Sequence, residues 1–147
     1  MTSVNLSELL DKGDVKKIEA LPPGQCQPLL DKAESDLKAA ADNLESHPDW
    51  ALAIAYNAML TAGIALMASK GYKASSDSHH LAVVQFCAAV LPAETAPLTS
   101  AFNRYRSRRH GVVYGEAESV APSEASNAIE KAAKLVQAIK AAITKKR

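Results

Sequence analysis

The strongest constraint in this chain is the stretch from Asp49 to Lys70, which is apolar on nearly every face of the helix it would form. Trp50, Ile54, Met59, Ile64, Leu66 and Met67 do not gather on one side when projected at about 100° per residue. A helix that is hydrophobic all round lies at the centre of a bundle, so the rest of the sequence has to supply helices that surround it. Pro48 suits the first turn, where a missing N–H costs nothing, and Gly71 suits a left-handed C-terminal cap. Ala55, Ala58, Ala62 and Gly63 carry so little bulk that neighbours can approach closely.

The surrounding helices are legible in the same way. Ser7 to Leu21 offers one or two short helices broken at Gly13 and closed by Pro22-Pro23-Gly24. From Gln27 to Glu45, Leu29, Leu30, Ala33, Leu37, Ala40, Ala41 and Leu44 recur at helical spacing. Ser75-Ser76-Asp77-Ser78 reads as a loop and N-cap for a helix from His79 to Leu91, ended by Pro92. Another begins near Glu94, and a last one starts at Pro122-Ser123. In that last helix Ile129, Ala132, Val136, Ile139 and Ile143 oppose Lys131, Lys134 and Lys145. No segment alternates as a strand does. The expectation is an all-α, up-and-down bundle of four to five main helices, with 1–25 as an N-terminal extension of short helices and 26–147 as the bundle.

A chain of 147 residues is the usual size of one domain. Its 17 basic and 16 acidic residues create no global field, so any charge-based function has to be local. Cys26 and Cys87 match no zinc or redox spacing and are expected to be buried thiols. His79 and His80 diverge by about 100° on a helix, which suits capping and packing better than shared ligation of a metal. No metal or cofactor is expected. No basic leader follows Met1, and no apolar run reaches about 18 residues without a polar interruption. The expected setting is therefore the cytoplasm, with no membrane span. Lys145-Lys146-Arg147 reads as a solvated helix end.

The chemistry concentrates in Phe102-Asn103-Arg104-Tyr105-Arg106-Ser107-Arg108-Arg109-His110-Gly111-Val112-Val113-Tyr114-Gly115. On a helix, Leu98, Phe102, Tyr105, Val112 and Val113 form one stripe, and Arg109 lies in the middle of it. Arg106, His110 and Tyr114 line the adjacent edge, while Arg104 and Arg108 point away. A guanidinium on an apolar stripe needs a partner, because burying an unpaired charge costs several kcal/mol, about 3–5 when a partner is removed. Asn57, a carboxylate, a ligand phosphate and a second subunit are the partners to weigh, against a side chain that simply snorkels to water. The cluster is either a solvated basic face or a phosphate site. Its all-Arg composition favours the second, since Arg recognises phosphate bidentately, and histidine moves protons near neutral pH.

This organisation resembles the HEPN superfamily, small helical bundles whose signature is an Arg followed about four to six residues later by a His near a helix end. Two registers fit. Arg104 and His110 enclose five residues, or Arg109-His110-Gly111-Val112-Val113-Tyr114 matches with Tyr114 in place of the final His. The inward stripe favours the second. Asp49-Trp50, Tyr56-Asn57-Ala58-Met59, Gly71-Tyr72 and His79-His80 add to a likeness that spans roughly Gln27 to Ile143. The resemblance implies a metal-independent endoribonuclease of a toxin–antitoxin or defence system. In it two protomers join their motifs in a homodimer cleft, often beside a nucleotidyltransferase-fold partner. On that reading Arg109, His110, Tyr114 and Arg104 carry catalysis, Arg106 and Arg108 bind RNA, and Asn57 supports Arg109. Members that have lost the motif imply the alternative, a non-catalytic module that binds a nucleotide, an RNA or a protein.

Overall fold

A computed structural model describes residues 5–76, 80–115 and 120–144. Helix α1 (Leu6–Lys12) starts from a reciprocal cap. The Asn5 side chain accepts from the Glu8 N–H and the Glu8 carboxylate accepts from the Asn5 N–H, both at 2.9 Å. Gly13, at φ 81°, stops it. Helix α2 (Pro23–Asp42) begins a turn earlier than its apolar pattern does, because Pro23 opens it where the sequence suggested only a break. Helices α3 (Pro48–Lys70), α4 (His80–Val90), α5 (Ala96–Tyr114) and α6 (Pro122–Thr144) follow, with a 3-10 turn at Ala93–Thr95 leading into α5. The all-helical bundle of five main helices is as expected. The readings of Asp77, Ser78, His79 and Lys145-Lys146-Arg147 lie outside the described residues.

Helix α3 is the centre, packed by α2, α4, α5 and α6. It is long and apolar enough to cross a membrane by length and composition, yet 78% of that window is buried inside the bundle, as in the core helix of a folded domain. One stripe of it stays open: Trp50, Asn57 and Ile64 face solvent, so the helix is not buried all round. Asp36 on α2 is almost fully buried, and both its oxygens are engaged, one by Lys32 and one by the Asn57 amide at 3.0 Å. That satisfies the carboxylate and ties α2 to α3.

Two short strands were not foreseen. Strands β1 (Val15–Lys17) and β2 (Tyr72–Ala74) pair antiparallel, with Val15 opposite Ala74 and Lys17 opposite Tyr72. Backbone bonds extend the clasp, from Ile18 N to Gly71 O at 2.8 Å, from Leu21 N to Ala68 O at 2.9 Å and from Ser75 N to Asp14 O at 2.9 Å. Gly71 closes α3 at φ 89°, in the left-handed region, and so turns the chain into this pairing. Strands of three residues pair through backbone alone and leave no side-chain alternation to read. The clasp seats Leu9 and Val15 in the same core as the main helices.

Both cysteines are free and buried, as expected, and burial pushes the Cys87 thiol up to about 12. Cys87 belongs to the tightest helix contact. A Cβ on Gly63 would come within 2.6 Å of Val83 Cγ1 and 3.2 Å of Cys87 Sγ. Gly63→Ala gains about 0.5–1 kcal/mol of helix propensity but overpacks this contact, at about 1–3 kcal/mol. The expected result is a net loss of stability and a lower Tm in thermal denaturation; a raised Tm would show that α4 can move away freely.

Candidate functional site

Helix α5 carries its arginines to three different destinations. Phe102 and Tyr105 are buried, and Leu98 and Val112 pack against the core, so the inward stripe lies where the sequence put it. Arg109 sits within that stripe, half-buried, with its guanidinium carbon 5.8 Å from the centre of the Tyr56 ring. A cation over an aromatic face at this distance gains about 0.5–2 kcal/mol, more as it is desolvated. Arg106 lies on the adjacent edge and donates to Asn103 Oδ1 at 3.2 Å. Arg104 is exposed and leans over the Tyr105 ring at 5.0 Å. Arg108 does not point to solvent. It is half-buried and forms a two-pronged ion pair with Glu124 of α6, at 2.8 and 3.1 Å. A projection of one helix cannot show that α6 packs there.

Arg106, Arg109 and His110 line one cavity of about 640 Å³, within the range of about 300–1,000 Å³ that holds small ligands. Its other walls come from the start of α4 (His80, Leu81, Gln85) and from Lys12 and Asp14 at the end of α1. Three cations therefore face one carboxylate, and that carboxylate is already 3.8 Å from Lys12. The charge suits an anion. Tyr114 is outside this wall, 64% exposed, with its ring 4.7 Å from that of His110. Asn57, expected beside Arg109, points instead to Asp36, because one residue along a helix turns the side chain by about 100°. Its neighbour Tyr56 holds the position.

Tyr56 and His80 are the residues that sequence reasoning missed. The Tyr56 hydroxyl is 3.1 Å from His80 Nδ1, and the two rings lie 5.9 Å apart. Burial pushes Tyr56 up to about 12 against the opposing pull of Arg109 and Arg106, so the phenol stays protonated. Burial, then Arg109 and Arg106, push the His80 imidazole below its ordinary value, which keeps it neutral at neutral pH. The one signal for the pair was a lone phenol within an aliphatic central helix. Among the described residues, no three His, Cys, Asp or Glu side chains group as a metal site.

Two expected outcomes follow from this geometry. A His80 that titrates lower in the folded chain means that the unfolded chain binds more protons. Stability is then full above about pH 6.5 and falls as the pH drops into the window just below it. Thermal denaturation at about pH 5.5 and about pH 7.5 should show a smaller drop in Tm for His80→Gln than for the native chain; equal drops would remove His80 from that linkage. Separately, Arg108→Ala strands Glu124 and should cost about 1 kcal/mol, allowing for solvent screening of a partly exposed pair. An unchanged urea midpoint would reduce the pair to a surface contact.

Searches against curated proteins and against solved structures gave no match. A family model did match: the HEPN domain, over residues 26–142, from within the first turn of α2 to the last turns of α6. That span covers the five main helices and the whole arginine-bearing helix, and the chain belongs to the HEPN domain family.

Proposed function

We propose that the chain acts on RNA, gripping the phosphate backbone through Arg109 and Arg106 in the cavity between α4 and α5. The observation that carries this reading is the half-buried Arg109 guanidinium, supported from beneath by the Tyr56 ring and open to a cavity shared with Arg106 and His110. A fixed guanidinium loses little freedom on meeting a phosphate, and its planar fork matches phosphate oxygens. His110 stands at the same rim as a proton carrier. With the family's habits added, the reading becomes a metal-independent endoribonuclease of a toxin–antitoxin or defence system. It would act as a cytoplasmic homodimer, with Arg104 and Tyr114 at the cleft and a nucleotidyltransferase-fold protein as the cognate partner.

A second reading is favoured by Tyr114, a phenol where the family's second register places an imidazole. On it the chain is a HEPN module that binds RNA, a nucleotide or a protein partner without cutting RNA.

Incubation with total RNA in the presence of EDTA separates the two. Cleavage that disappears in both Arg109→Ala and His110→Ala supports the nuclease; intact RNA with salt-sensitive binding supports the module. In either case Arg109→Ala should weaken binding of a single-stranded oligomer about tenfold, the loss of one charge-assisted phosphate contact of about 1.5 kcal/mol. It should also flatten the salt dependence by about 0.7 in log–log slope. No binding even at low salt would overturn the RNA reading.

A further inference from the structure

The phosphate reading leaves one wall of the cavity without a role. Arg106 and Arg109 come from α5, whereas the α4 wall presents the polar side chains of His80 and Gln85. His80 is held at Nδ1 by the hydroxyl of Tyr56, which is 1% exposed and rooted in the central helix. The same phenol lies beneath the Arg109 guanidinium. One buried side chain therefore fixes an imidazole with its edge and a guanidinium with its face. By contrast, the exposed His110 ring rests against exposed Tyr114.

We propose that His80 is the third donor of this site, its Nε2 meeting the RNA phosphate that Arg106 and Arg109 hold, with Tyr56 as the positioning residue for both, and that RNA binding draws a proton onto His80. The inference rests on the RNA reading and adds to it a residue outside the family's motif. A buried hydroxyl needs an acceptor, and Nδ1 is the partner within reach of Tyr56. With Nδ1 accepting, a neutral imidazole carries its proton on Nε2, which is then the nitrogen left to donate to a guest.

The proton coupling follows from what faces His80. Tyr56 comes from α3, Arg106, Arg109 and His110 from α5, and the Lys12–Asp14 pair from the N-terminal segment. Without a guest these groups are mainly cationic and disfavour an imidazolium. A phosphate placed among them reverses the local sign and favours it. On protonation Nδ1 becomes a donor and the Tyr56 oxygen becomes the acceptor, so the two atoms stay paired with the bond reversed, while the phenol hydrogen gives up Nδ1 as its acceptor.

The test uses the full chain and a fluorescent single-stranded RNA oligomer without terminal phosphate, at constant ionic strength. The native protein should bind about fivefold more tightly at about pH 5.5 than at about pH 7.5, which is what a rise of about one unit in the His80 pKa on binding yields across that window. His80→Gln keeps an N–H donor but cannot titrate, so it should bind at the higher pH and lose most of the pH dependence. Tyr56→Phe should blunt the same dependence while circular dichroism shows a folded chain. If the native protein binds RNA and His80→Gln keeps the full pH dependence, His80 is not the coupled group and the inference falls while the RNA reading stands. If the native protein binds no RNA, both fall. Should the variants fail to fold, histidine-detected NMR of the native protein decides, since the His80 pKa must rise by about one unit when the oligomer is added and an unmoved value overturns the proposal.

Discussion

The site depends on one buried phenol. Tyr56 sits in a helix whose other core-facing residues are alanine, glycine or aliphatic side chains, and its ring also packs against Phe102 with centroids 5.7 Å apart. Burying the hydroxyl would be costly without a partner, and His80 supplies it across the junction of α3 and α4. Burying the ring gives Arg109 an apolar, polarisable surface to lie on. Both consequences pass through the packing of the central helix, so the geometry of the cavity is as rigid as the core beneath it. A guanidinium with one face on a dry ring is also less screened, which strengthens its attraction for an anion on the open side.

The electrostatics divide the basic cluster by role. Arg108 is neutralised by Glu124 and serves the α5–α6 contact, while Arg104 stacks on Tyr105 at the surface. Arg106 and Arg109 make no salt bridge among the described residues. Elsewhere Lys32 answers Asp36 and Lys140 answers Glu34 at 2.9 Å. A chain with nearly equal numbers of acids and bases thus keeps one small region cationic. Two of the ion pairs, Arg108–Glu124 and Lys140–Glu34, also serve as ties between helices.

Much of this was legible before any coordinates. The all-round apolar stretch placed α3 at the centre, the apolar spacing found α6, and the inward stripe singled out Arg109. What escaped was whatever depends on where helices sit relative to one another. Arg108 projects outward from α5 only until α6 is placed beside it. Asn57 and Tyr56 differ by one residue, yet one turns to α2 and the other to α5. Tyr56 and His80 are 24 residues apart, on different helices, and no periodicity within either helix announces their meeting. The β1–β2 pairing was invisible for a different reason, since it is written in backbone bonds.

That clasp has an effect on how the cavity is built. By threading the segment before α2 along the end of α3, it brings Lys12 and Asp14 to the cavity that the arginines line. Both residues precede the span that matches the family model. The enclosure therefore has two sources: Arg106, Arg109 and the imidazoles lie within the span that matches the family, and Lys12 and Asp14 lie before it. Exchanging the leading segment on the same helices would leave Arg106 and Arg109 on their wall and alter only the edge that borders them, without disturbing the bundle.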